Sequence, residues 1–181
     1  MLKFISGYDA IAKGSNSKAQ GENNDCVVRA FMNAAEVSYD EAHALVEAWF
    51  ARQPKQGTKG FAMKAVAKRG QSVNGLQFTY VGSHPLAIGA RWNKDTRSYE
   101  IPSMVMSDSF QTLCKPKYPK QGYTVAKFAE AFPVGRFILI VRRHALAVID
   151  GVIYDNPDQN DALFRHKGRD QRKALHVYQL K

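Results

Sequence analysis

Two cysteines and five histidines among 181 residues leave few side chains able to serve as nucleophile or base. Cys26 is the more informative cysteine. It follows the polar run Asn23-Asn24-Asp25, any member of which suits a helix N-cap. It also opens Cys26–Ala35 (CVVRAFMNAA), where Val27, Phe31 and Ala35 recur at spacing four beside Val28 and Met32. That spacing predicts a helix with one apolar face. A thiol in the first helical turn lies at the positive end of the helix dipole, which favours the thiolate. An imidazole that accepts the thiol proton completes a nucleophile. The plain alternative for Cys26 is a buried, inert cysteine.

His144 is the histidine placed to meet that need. It precedes an apolar segment in HALAVI, directly after Arg142 and Arg143. It is expected at the start of a strand, held rigidly yet able to reach a cleft, or else as an edge residue bonded to a backbone carbonyl. Asp150-Gly151 is a two-residue hairpin signal. A two-residue loop sets Ile149 opposite Val152, Leu146 opposite Asp155 and His144 opposite Pro157. His144, Leu146 and Asp155 then share a face, and Asp155 lies diagonal to His144. A one-residue bulge would exchange Asp155 for Asn156, so Asn156 is the alternative third member.

The elements that must position these residues read as α+β. A second helix starts at Ser38 with Glu41 three residues on, a capping box. A third is expected over 59–68, ended by Gly70. The stretch 71–118 is broken by glycine and proline, with a short strand expected around 103–106. Thr124 caps a short helix over 125–132, and FILIV (137–141) reads as a central strand. Arg142-Arg143 makes a turn or break, and ALHVYQL (174–180) alternates as a closing strand. Helices come first and antiparallel strands last, in a single domain over 1–181.

Composition bounds the rest. The chain is 45% hydrophobic and 23% charged, the balance of a folded globular protein. No stretch approaches the ~20 apolar residues needed to span a bilayer, so no membrane partner is expected. Two cysteines cannot form a disulfide framework, and a reducing, cytoplasmic setting is the simplest. The net charge is +10, with 10 basic and 7 acidic residues in 1–90 against 16 and 9 in 91–181. Such a surplus favours an anionic partner. Arg142, Arg143 and Arg165 point to acidic segments of a protein or peptide substrate; nucleic acid is the weaker alternative. Asp155, Asp158 and Asp161 lack the closing Glu of a calcium loop, and His43 lacks a paired ligand spacing, so no metal or cofactor is expected. Cys114 has no nucleophile context.

The segment Asn24-Asp25-Cys26-Val27-Val28-Arg29-Ala30 resembles the nucleophile helix of the papain-like cysteine peptidase superfamily, chiefly its small bacterial and phage members. His144 through Asp155 resembles the histidine strand, hairpin and acidic partner of that superfamily, in the same chain order. The resemblance implies a papain-like fold, with N-terminal helices and a C-terminal antiparallel sheet. It implies Cys26 as nucleophile, His144 as general base and acid, and Asp155 as the residue orienting the imidazole. Gln20, six residues before Cys26, corresponds to the oxyanion donor of the family. The chain departs from papain in having Asn24-Asp25 immediately before the cysteine, and Asn24 or Asn23 is the alternative donor. Asp25 either faces the thiol, opposing its ionisation, or points away as the helix cap. The implied chemistry is hydrolysis of an amide, isopeptide or thioester. The competing expectation is a papain-like fold without catalysis that binds an acidic protein or nucleic acid.

Overall fold

Helix α1 (Cys26–Ala35) is apolar almost all round, with Val27 to Met32, Ala34 and Ala35 buried. A helix of that kind must be covered on every side. The computed structural model describes residues 4–6, 22, 24–58, 60–83, 91–95, 98–100, 123–155 and 172–181. In it α1 packs between a sheet and helix α2 (Tyr39–Phe50), while helix α3 (Gly60–Lys68) packs on α2 and the sheet. Helix α1 ends at Glu36, in the left-handed region at φ 54°, whose N–H reaches the Asn33 and Met32 carbonyls. The capping box of α2 is complete: Ser38 Oγ accepts from Glu41 N–H, and Glu41 accepts from Ser38 N–H at 2.8 Å.

The strands are β1 (Phe4–Ser6), β2 (Ser72–Val73), β3 (Leu76–Ser83), β4 (Arg91–Asn93), β5 (Ser98–Glu100), β6 (Arg136–Val141), β7 (His144–Ile149), β8 (Val152–Asp155) and β9 (His176–Leu180). Seven form one sheet in the order β1-β8-β7-β6-β9-β3-β2, while β4 and β5 pair separately. All pairings in the large sheet are antiparallel except β1 with β8. The fold is thus α+β, as the sequence pattern predicts. N-terminal helices and a C-terminal antiparallel sheet are present as expected, and the sheet is extended by β1 beside β8 and by β2–β3 beyond β9. The closing strand is interior, bonded to both β6 and β3.

The continuous apolar run of β6 follows from cover on both faces. Ile138 and Ile140 pack on the α1 side, in a core built around Phe31, Phe50, Phe78 and Tyr178. Phe137, Leu139 and Val141 pack on the other side against Phe128 of α4 (Val125–Ala131). Thr124 caps α4 by accepting from Lys127 N–H. The strand expected around 103–106 lies outside the described residues.

Candidate functional site

The strand register brings one end of the sheet to the start of α1. In the β7–β8 hairpin, Ile149 pairs with Val152, Val148 with Ile153 and Ala147 with Tyr154. This is the register that a two-residue Asp150-Gly151 loop requires, and both loop residues have positive φ, 48° and 75°. Continued by one step, it sets Leu146 opposite Asp155 and leaves Asp155 diagonal to His144. The first residue of β7 and the last of β8 therefore stand at the same end of the sheet. There His144 Nε2 hydrogen-bonds Asp155 Oδ1.

Cys26 approaches from the other side of the ring. It is the first residue of α1, partly buried and not in a disulfide. Its side chain lies close enough to His144 to raise the pKa of the imidazole. The Asp155 side chain is 1% exposed and that of His144 14%. Burial pulls the His144 pKa down, but bonding and charge from Asp155 and Cys26 outweigh it and raise the value to about 9. A value there favours the cationic ring at neutral pH.

Asp25 points away from the thiol. It occupies the N-cap position but makes no capping bond with its side chain. Its Oδ2 accepts from Arg29 Nε at 2.8 Å and from the Tyr39 hydroxyl at 2.8 Å, and Arg29 Nη2 lies 2.8 Å away. The Arg29 guanidinium also covers the Tyr39 ring at 5.4 Å. Burial and the Asp25 charge push the Tyr39 phenol well up. The Asp25 carboxylate is thus ion-paired and hydrogen-bonded within a buried network.

A second network holds the segment before Cys26, and sequence reasoning missed it. The Glu22 carboxylate meets His43 Nε2 at 2.8 Å and Arg52 Nη1 at 3.2 Å, and accepts from the Lys55 backbone N–H at 2.6 Å. Burial raises the Glu22 pKa, but these partners bring it down to about 2. Asn24, at φ 54°, donates its amide to the Lys55 carbonyl at 3.2 Å. The polar residues ahead of α1 are therefore tied to the chain just beyond α2. His43 is a buried anchor on an amphipathic helix; only a glutamate reaching it from far along the chain reveals that role.

Of the expected oxyanion donors, Asn24 is engaged by Lys55, while Gln20 and Asn23 lie outside the described residues. Asn156, Cys114, Asp158, Asp161 and Arg165 lie outside them too. The first N–H groups of α1 have no intrahelical partner by helix geometry, and that of Cys26 is adjacent to the sulfur. Arg142 and Arg143 form the two-residue turn between β6 and β7, exposed and adjoining His144, with Arg143 at φ 60°. Among the described residues, no group of three His, Cys, Asp or Glu is arranged to hold a metal ion. No described helix is long and apolar enough to cross a membrane.

The geometry is that of a thiol, an imidazole and a carboxylate in series, an arrangement suited to acyl transfer. The chain matches no family model, no curated protein and no solved structure.

Proposed function

We propose that the chain is a thiol hydrolase with a papain-like site, acting on an amide, isopeptide or thioester carbonyl. The observation that supports this is the imidazole of His144, hydrogen-bonded to Asp155 and raised in pKa by both Asp155 and Cys26. In this reading Asp155 fixes the ring and favours its cationic form, and the proton of Cys26 passes to His144. The thiolate attacks the carbonyl carbon, and the oxyanion is met by N–H groups at the start of α1. His144 then protonates the departing amine or thiol. Water, deprotonated by His144, attacks the acyl-enzyme and releases Cys26. A papain-like fold and a reducing, cytoplasmic setting belong to the same proposal.

Alkylation of Cys26 by iodoacetamide tests it, with Cys114 as internal reference and peptide mass analysis as readout. At about pH 6, where an unperturbed thiol near pKa 8.5 is almost wholly protonated, Cys26 is expected to react well ahead of Cys114. His144→Ala is expected to abolish that advantage while the fold, read by circular dichroism, is retained. An unreactive Cys26, or an advantage that survives His144→Ala, would overturn the hydrolase and leave a non-catalytic binding module.

A further inference from the structure

We infer that the four cations beside the β6–β7 turn form a binding groove for an acidic peptide segment, the substrate-recognition surface of the proposed thiol site. The groove encloses about 750 Å³ and is lined by Arg142, Arg143, Arg172, Lys173 and Leu175. That volume is within the range of ligand pockets, ~300–1,000 Å³.

The two halves of this groove come from distant parts of the chain, and the sheet joins them. Ile140 pairs with His176, so the residues leading into β9 lie beside the β6–β7 turn. The 172–175 wall is fixed by its backbone. Val125 N–H bonds the Arg172 carbonyl at 3.0 Å, Ala174 N–H bonds Tyr123 at 3.0 Å, and Leu175 N–H bonds Ile140 at 2.7 Å. The cationic side chains therefore project from anchored backbone.

Three observations define the ligand. Among the described residues no acidic side chain lines the groove, and none of the four cations has an ion-pair partner there. Four like charges gathered without counter-charge form a site for a polyanion. Among the described residues no aromatic ring lines the groove to stack a base, as a single-stranded nucleic acid site would provide. Lastly, the groove opens at the end of the sheet that carries His144, and a peptide has the carbonyl group on which the proposed chemistry acts. The assignment of this peptide as substrate rests on the proposed hydrolase reading; the assignment as ligand does not.

The test uses full-length Cys26→Ala protein, so that binding is read without turnover. Fluorescence anisotropy compares a labelled Glu-rich decapeptide, its Gln and Lys counterparts, and a decathymidylate. The Glu peptide is expected to bind best, with an affinity that falls as salt is raised. Arg142→Glu/Arg143→Glu and Arg172→Glu/Lys173→Glu are each expected to weaken it about tenfold. In the Cys26 protein the Glu peptide should protect Cys26 from alkylation. Equal binding of Glu and Gln peptides, survival of binding in both double variants, or tighter binding of the decathymidylate would overturn the groove. Binding without protection would overturn its place in substrate recognition. Loss of Cys26 reactivity in His144→Ala is a separate measurement, so the groove and the hydrolase can fail independently.

Discussion

Replacing Asp155 with Asn tests the electrostatics of the site directly. His144 is buried enough that its ring alone would titrate below the usual 6.5, yet its value stands at about 9. A displacement of that size corresponds to a preference for the imidazolium of about 3 kcal/mol. Asp155 supplies both the first-ranked hydrogen bond and a charge, with Cys26 supplying the rest. Asp155→Asn keeps the shape and removes the charge, so burial regains the upper hand. His144 is expected to return to 6.5 or below. Side-chain NMR titration of the histidines from about pH 5 to about pH 10 reads this shift against His43 and His176 in the same protein. Activity in the wild type should fall as pH rises through about 9, where the proton needed by the leaving group is lost. In Asp155→Asn the same loss should begin near neutrality. An Asp155→Asn midpoint within about half a unit of the wild type would refute the role given to the carboxylate. So would a wild-type His144 that titrates near 6.5.

Glu22→Gln should cost stability at neutral pH and little in acid. The Glu22 pKa is lowered from 4.5 to about 2, so its contribution of about 3 kcal/mol is present above 4.5 and is lost as pH falls through 2. Urea unfolding of both proteins across that window should show the gap closing; a constant gap would refute the linkage. Phe31→Ala removes a side chain of 0% exposure that contacts Trp49, Phe50 and Phe78, and should cost about 3–5 kcal/mol in the same assay. Gly151→Ala meets both a positive φ of 75° and a new Cβ 3.3 Å from the Ala129 carbonyl oxygen. A loss of about 1–2 kcal/mol is expected, and a neutral outcome would refute the hairpin geometry.

What sequence disclosed best was local. The step from polar Asn23-Asn24-Asp25 into an apolar spacing of four located the start of α1, and with it Cys26. Asp150-Gly151 set the β7–β8 register, because a two-residue loop leaves alternation no freedom. Asp155 followed from that register, not from any property of its own. What escaped depended on contacts between distant segments. Glu22 meets His43, Arg52 and Lys55 across separations of 21, 30 and 33 residues, which no periodicity encodes. Asp25 was ambiguous until Tyr39 and Arg29 were seen to hold it. The alternating pattern of β9 identified a strand but not its neighbours, so Arg172 and Lys173 could not be joined to Arg142 and Arg143. The parallel β1–β8 pair escaped for the same reason, since strand order is a property of the assembled sheet.

The site divides unevenly along the chain. His144 and Asp155 are 11 residues apart and share one hairpin, an element that closes in ~1–10 μs. Cys26 belongs to a helix that must travel to that hairpin from the opposite end of the sequence, and β9 must insert between β6 and β3 for the sheet to be whole. Long-range closures of this kind are the slow steps of folding. The His144–Asp155 pair is thus a local feature of one hairpin, whereas Cys26 reaches it only through a long-range closure. A chain in which α1 has not docked carries a thiol with no imidazole beside it. In the proposed reading, activation of Cys26 by His144 therefore waits on the docking of α1.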